Sequence, residues 1–200
     1  MQQVHGVTAF QPLEAPTELA LDLANTIRGT DEQASDLLDS PGALGRWVEL
    51  ASLGDPDEGV LLRLPEFRAL RAAVRDLLAA QAAGEPLTRA AVDAVNRASA
   101  AVPSFPRLDL ADPSAPTAVA EASAASPINR MLAAVARSAI ALLADDRARI
   151  RRCPAPGCGR YFVAGREGQV WCSAACGNRA RVARHHERRR ASLQRPSAPA

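Results

Sequence analysis

Apolar residues in the first three quarters of the chain recur mainly at intervals of three and four, the spacing of one face of an α-helix. Proline, glycine, serine and threonine divide this pattern where helices typically begin and end. The pattern predicts five helices: residues 17–28, a segment from 41 that ends at Gly54, a segment from 65 that ends at Gly84, a shorter segment after Thr88, and residues 127–145. This part of the chain is therefore predicted to be mainly helical.

The segment that begins at Pro65 has the clearest helical pattern. Its apolar stripe runs from Phe67 to Leu78 and is predicted to face a core. The polar side chains between these positions are predicted to face solvent: Arg68, Arg71, Arg75 and Asp76. The short stretch before it, residues 55–59, is polar and is predicted to be a turn-like linker.

Residues 102–125 do not follow the helical pattern, because four prolines interrupt them. Residues 108–110 and 117–120 are predicted to be two short strands around a turn at residues 112–114. The predicted fold is α+β and mainly helical: a helical N-terminal domain with a small β-hairpin (residues 1–146), a small second domain (147–192) and a disordered tail (193–200).

Four cysteines lie close together in this second domain, and the rest of the chain has none. Cys153, Cys158, Cys172 and Cys176 form two short pairs, and a 13-residue spacer separates the pairs. Two such pairs can supply the four thiolates of a tetrahedral zinc site. We therefore predict one structural zinc ion rather than a catalytic one, because four thiolates leave no open coordination position. The spacer is predicted to form a hairpin of residues 161–163 and 169–171. With the helix that follows Cys176, residues 147–192 are therefore predicted to form a treble-clef-like four-cysteine zinc finger with a basic helix.

Other interpretations of the cysteines remain open at this point. A mixed site could use His185 or His186 in place of one cysteine, although both lie two or more helical turns beyond Cys176. A redox dithiol is disfavoured by the absence of a C-x2-C motif. Phe162 and Trp171 are predicted to form a small core beside the metal.

The net charge of +2 conceals a strong division of charge along the chain. Residues 1–146 hold 11 Arg and 20 Asp and Glu, a sum of −9, whereas residues 147–200 hold 13 Arg and two Glu, a sum of +11. An acidic body with a basic arm indicates a polyanionic partner.

The chain begins with no secretory signal pattern and has no long uninterrupted apolar stretch, so we expect a cytoplasmic protein without a membrane segment.

Residues 177–190, after Cys176, contain no proline and a single acid, and they are predicted to form an Arg-rich helix. Arginine pairs well with phosphate oxygens, so this helix is the candidate DNA-binding element. The candidate contacts are Arg179, Arg181, Arg184, His185, Arg188, Arg189 and Arg190. Val182 is predicted to pack back on the finger or the body. The alternatives are a protein-interaction module, in which the arginines bind an acidic partner or the acidic body, and an RNA-binding accessory protein.

The sequence resembles the CGNR zinc-finger family at the tetrapeptide of residues 176–179, within a similar cysteine pattern and before a similar Arg-rich helix. Residues 18–26 are similar to the opening of the ABATE domain, which precedes that finger. The resemblance implies a stress-related bacterial transcription regulator whose finger binds DNA and whose N-terminal domain senses a signal or forms a homodimer. It leaves the effector unknown. The family's acidic and basic residues before the Trp-Cys pair are missing here, so we expect the helix to contact DNA.

No arrangement of residues typical of an active site is recognisable, and we expect a protein that is not an enzyme. Asp22, Asn25 and Thr26 lie close together on the first predicted helix. They could line a small-molecule pocket, but we expect them to form local hydrogen bonds, as polar groups within helices usually do.

Overall fold

The computed structural model describes residues 18–30, 34–110, 114, 116–145 and 149–193, with side chains described as far as residue 190. Seven helices and three two-stranded antiparallel sheets lie within these residues. The helices are α1 (Glu18–Ala24), α2 (Pro41–Leu50), α3 (Glu58–Leu61), α4 (Leu64–Ala83), α5 (Arg89–Ala100), α6 (Pro127–Ala144) and α7 (Ala174–Leu193). The strands are β1 (Ile27–Arg28), β2 (Ser35–Asp36), β3 (Ser104–Asp109), β4 (Thr117–Ala122), β5 (Ile150–Arg152) and β6 (Tyr161–Val163). The predicted class, mainly helical with small β elements, is confirmed.

Helices α1, α4, α5 and α6 pack together and form the body, with α2 and α3 beside them. The core contains Leu23, Phe67, Val74 and Val135, all without exposed surface. At the start of α1, the hydroxyl of Ser138 on α6 accepts a hydrogen bond from the Ala20 amide at 2.9 Å. This bond satisfies a backbone donor that has no partner within the first turn of a helix.

Local chemistry sets the ends of several helices as predicted. The hydroxyls of Ser40 and Ser126 accept hydrogen bonds from the first-turn amides of α2 and α6. Gly84 ends α4 in the left-handed conformation at φ 70°. Residues 55–59 differ from the prediction, because the Asp57 carboxylate caps α3, which begins at Glu58. The linker is therefore partly helical.

Two further predictions for the body are wrong. The first helix ends at Ala24, and Ile27 lies instead in β1, which pairs with β2. Arg71 does not face solvent: its side chain is 5% exposed, and it donates to both carboxylate oxygens of Asp36 on β2 at 2.5 and 2.7 Å. Arg71 also donates to the Thr26 hydroxyl at 2.9 Å. The strand pair β1–β2 covers this arginine, so its burial depends on a contact distant in sequence.

The predicted hairpin at residues 102–125 is confirmed in β3 and β4, which are longer than expected and include Pro106. Arg107 and Glu121 form an exposed ion pair across it at 3.0 Å. Two of the three residues predicted to form its turn, at positions 112 and 113, lie outside the described residues. The same is true of most of the predicted tail, although α7 continues to Leu193 and so includes its first residue.

The prediction of a hairpin within the cysteine spacer, between residues 161–163 and 169–171, is wrong. Tyr161–Val163 does form a strand, but its partner is β5, which precedes the first cysteine pair. Residues 169–171 form no strand in the described structure. Instead, the Gln169 side chain accepts a hydrogen bond from the Gly165 amide at 3.0 Å and donates to the Trp171 carbonyl at 3.1 Å. These bonds hold the segment in a compact loop.

Helix α6 is the one described helix that is long and apolar enough to cross a membrane. Length and composition alone give this result, and the core helix of a globular protein gives it too. Here α6 buries Met131, Val135, Ala139 and Leu142 and packs against α1, α4 and α5. Its apolar face is therefore covered by the other helices of the body.

Candidate metal centre and nucleic-acid interface

Three structural elements bring the cysteines together. Cys153 directly follows β5, and Cys158 lies in the tight turn that leads to β6. Cys172 precedes α7, and Cys176 lies in its first turn, where the Ser173 hydroxyl accepts a hydrogen bond from the Cys176 amide at 3.2 Å. Ser173 therefore caps the helix. The β5–β6 hairpin supplies one pair of thiols and the start of α7 the other.

The four sulfur atoms have the geometry of a closed metal site. Cys158 Sγ lies 3.7 Å from Cys172 Sγ and 3.6 Å from Cys176 Sγ, and Cys172 Sγ lies 3.5 Å from Cys176 Sγ. All four sulfur atoms, including that of Cys153, lie within 4.8 Å of one another. A tetrahedral zinc ion with Zn–S bonds of 2.3 Å requires sulfur atoms about 3.8 Å apart. The four cysteines thus form a site for one structural zinc ion, as predicted.

The thiols differ in how readily they lose a proton. Burial raises the pKa of Cys158 and of Cys172, and for Cys172 the neighbouring thiols raise it further. Burial also raises the pKa of Cys176, but hydrogen bonds with Ser173 and with the other cysteines outweigh it and lower the pKa to about 7. Zinc binds thiolates, so metal binding releases protons from these groups.

The residues after Cys176 support the metal site directly. Arg179 Nη2 lies 3.2 Å from Cys176 Sγ and donates a hydrogen bond to it. A Cβ atom on Gly177 would lie 3.1 Å from the Trp171 ring, so glycine lets the indole lie against the helix. Trp171 packs with buried Phe162 beside the cysteines, which confirms the predicted small core. The tetrapeptide therefore contributes a ligand, a contact surface and a donor to sulfur.

The hairpin that holds the first cysteine pair is attached to the body. Asn25 forms two hydrogen bonds with the backbone of Tyr161: it accepts from the amide at 2.8 Å and donates to the carbonyl at 2.9 Å. The Gly29 amide donates to the Cys158 carbonyl at 3.0 Å. Ile150 and Tyr161 belong to the same apolar cluster as the body helices. The zinc-binding segment therefore shares a core with the helical domain.

Close backbone contact reinforces this attachment. Gly159 has a φ of +64°, and a Cβ atom there would lie 2.3 Å from the Gly29 carbonyl oxygen. The Arg75 guanidinium lies 5.3 Å from the centre of the Tyr161 ring and donates to the Ala24 carbonyl at 2.7 Å. Burial lowers the pKa of Arg75. Sequence reasoning missed these roles, since the partners are separated by more than 50 residues.

The predicted basic residues lie along α7, which continues from the zinc site. Arg181, Arg184 and Arg188 border one surface depression together with Glu187. Each of these arginines also donates from Nε to a backbone carbonyl of its own helix. His185, Arg189 and Arg190 are exposed as well, and so is Arg179, whose guanidinium group donates to the Cys176 sulfur. Arg181, Arg184 and Arg188 thus share one face of α7.

One prediction for α7 is wrong. Val182 does not pack back on the finger or the body, because 56% of it is exposed. The residue that the helix buries instead is Ala180, one turn after Cys176. Beyond that turn, the side chains described for residues 184–190 are all exposed. This part of α7 therefore presents its side chains to a partner or to solvent.

Two comparisons with known families cover most of the chain. Residues 17–146 match ABATE, described as "Putative stress-induced transcription regulator". Residues 149–189 match the CGNR zinc finger, which agrees with the sulfur geometry and with the expected resemblance. No curated protein matches the chain. The chain belongs to the ABATE family, and its four-cysteine site is a CGNR zinc finger.

Proposed function

We propose that this protein is a DNA-binding transcription regulator and that helix α7 contacts the DNA. The observation that carries the proposal is the row of arginines at positions 181, 184 and 188, which share one exposed face of a helix anchored at the zinc site. These positions span about 10 Å along the helix axis. Guanidinium groups in such a row can pair with successive phosphates of one DNA strand.

The zinc site would serve this role by fixing the helix. Cys176 belongs to α7 and coordinates the metal, while Ala180 is buried one turn later. A helix held at one end loses less conformational freedom on binding than a free basic segment does. The site would contribute binding rather than catalysis, because four thiolates fill the tetrahedral sphere. Acting on DNA, a bacterial regulator of this kind would work in the cytoplasm.

The charge distribution supports an external partner over the acidic body of the same chain. Among the described residues, no ion pair joins Arg181, Arg184 or Arg188 to an acid. The ion pairs described in the body use other arginines. These three guanidinium groups are therefore available to phosphates without first breaking an ion pair, although each also donates from Nε to a carbonyl of its own helix. Arg189, Arg190 and His185 would extend the same basic surface toward the end of the helix.

The test measures binding of the zinc-loaded protein to duplex DNA over a series of salt concentrations. If about five phosphates are neutralised, log affinity should fall with log salt at a slope of about −4.5. Changing Arg181, Arg184 and Arg188 together to Ala should reduce the steepness of that slope by about 2.7. The matched control changes Arg89, Arg97 and Arg107 to Ala, which alters the net charge equally on exposed positions of the body.

The two variants separate local contact from overall charge. Equal loss of binding in both would contradict a specific role for α7, as would binding that does not respond to salt. Duplex RNA and polyglutamate of matched length test the alternatives as competitors. Competition by polyglutamate equal to that by DNA would favour an acidic protein partner, and tighter binding of RNA would favour an RNA-binding role.

A further inference from the structure

A pocket of about 510 Å³ lies where the zinc-binding segment meets the body. Its walls come from α1 and the residues that join it to β1, from β1, from the two residues after β2, from α2 and from one residue of the zinc-binding segment, Arg160. We call it the junction pocket. Clefts of this volume are typical of sites for small organic molecules. The set Asp22, Asn25 and Thr26 lines it, although Asn25 and Thr26 also form the structural hydrogen bonds described above.

The junction pocket carries an excess of positive charge. Arg28, Arg46 and Arg160 line it, and Asp22 is the one acid among the described residues that line it. In the described part of the chain, none of these three arginines forms an ion pair with an acid. Three guanidinium groups around one cleft can bind a carboxylate, sulfonate or phosphate group through paired N–H donors.

The other wall of the junction pocket is apolar. Trp47 lines it and is 9% exposed, and its ring makes an edge-to-face contact with Phe67 at a ring-centre distance of 5.8 Å. Leu37 and Leu50 stand at the rim, and Leu50 is 86% exposed. Large apolar side chains that border a cationic cleft suit a ligand with both an acidic group and an apolar body.

We propose that the junction pocket binds a small amphipathic organic anion, such as an aromatic carboxylate or sulfonate. The guanidinium groups of Arg28, Arg46 and Arg160 pair with its acidic group, and the apolar wall covers its ring. In the sequence, Arg160 lies between the zinc ligand Cys158 and Tyr161. The Tyr161 backbone is hydrogen-bonded to the Asn25 side chain on the body. A ligand bound to Arg160 and to Arg46 therefore joins the zinc-binding segment to α2. This binding does not depend on contact with DNA.

The test is calorimetric titration of the zinc-loaded full chain with 2-naphthalenesulfonate. We expect saturable binding of one molecule per chain. Arg46→Ala should weaken this binding about tenfold, because a hydrogen bond to a charged group is lost. Arg63→Ala is the matched control, since Arg63 is a half-exposed arginine outside the pocket. Absence of saturable binding, or equal weakening in both variants, would overturn the proposal.

A second pair of variants tests the site through charge repulsion. Leu50→Glu puts a negative charge at the rim and should weaken binding at least as much as Arg46→Ala does, while the exposed position leaves the fold intact. Leu62→Glu places the same charge on another exposed leucine, 70% exposed and outside the pocket, and should leave the affinity unchanged. If Leu50→Glu leaves the affinity for 2-naphthalenesulfonate unchanged, the sulfonate binds outside the junction pocket and the proposal is overturned.

A third measurement excludes the basic helix as the sulfonate site. The variant with Arg181, Arg184 and Arg188 changed to Ala should bind 2-naphthalenesulfonate as the unchanged protein does, because α7 contributes nothing to the pocket. Loss of binding in that variant would overturn the proposal. The neutral analogue 2-naphthalenemethanol should bind more weakly than the sulfonate. Equal affinity of the two would show that the arginines do not select an anion.

Discussion

Replacing Asn25 by alanine tests whether the helical body holds the zinc-binding segment in place. The side chain makes two hydrogen bonds to the backbone of Tyr161, at 2.8 and 2.9 Å, and Tyr161 is 4% exposed. Its loss leaves one buried amide and one buried carbonyl without a partner. An unsatisfied buried polar group costs about 1–3 kcal/mol. We therefore expect Asn25→Ala to lower the free energy of unfolding by about 2–4 kcal/mol.

The assay is urea unfolding of the zinc-loaded protein, followed by tryptophan fluorescence. The chain has two tryptophans, Trp47 in the body and Trp171 beside the metal, so the signal reports both regions. Asn96→Ala provides the control, because Asn96 is exposed on α5. A decrease below about 0.5 kcal/mol, the range of ordinary surface substitutions, would refute the argument that this side chain joins the two parts.

Three other changes have definite expected outcomes. Gly159→Ala should destabilise the protein by more than about 1 kcal/mol, because alanine is strained at a positive φ and its Cβ would collide with the Gly29 carbonyl oxygen. Urea unfolding measures this loss of stability. The ion pair with Arg71 lowers the pKa of Asp36, so its stabilisation is present above the usual carboxyl pKa of about 3.9 and is lost as the pH falls through the lowered value. The stability difference between the unchanged protein and Asp36→Asn should therefore shrink on acidification. Zinc removal by a chelator should unfold α7 while the β5–β6 hairpin stays on the body, which circular dichroism and amide exchange would follow.

Each of these outcomes has its own control. Gly157→Ala shares the positive φ of Gly159 but places its Cβ in open space, so it should destabilise less; an equal effect would rule out the collision. If the stability difference between the unchanged protein and Asp36→Asn is as large at pH 3 as at neutral pH, the ion-pair argument is contradicted. If chelation leaves the helical signal intact, the metal does not hold α7.

Several features could be predicted from the sequence because they depend on neighbouring residues. The apolar stripe of α4, its end at Gly84 and the serine caps of α2 and α6 all follow from local spacing and local hydrogen bonds. The zinc site could be predicted too. Its ligands form two short pairs, and the coordination chemistry of four thiolates permits few other arrangements.

Other features could not be predicted, because their partners are distant in sequence. Arg71 has the spacing of a solvent-facing residue on α4, yet it is buried by the strand that carries Asp36. The partner of β6 is the short and highly charged β5, which has no clear strand pattern of its own.

The sequence by itself determined the longer helices, the metal ligands and the density of arginine on α7, since these follow from spacing, capping and composition. Only the tertiary structure decided that the zinc-binding segment shares a core with the body, through Asn25, Tyr161 and the contact between Gly29 and Gly159. Such contacts form between groups more than 100 residues apart. The sequence around a hydrogen-bond donor or a glycine does not indicate which distant residue it will contact. The junction pocket exists for the same reason, because its walls come from segments that only folding brings together.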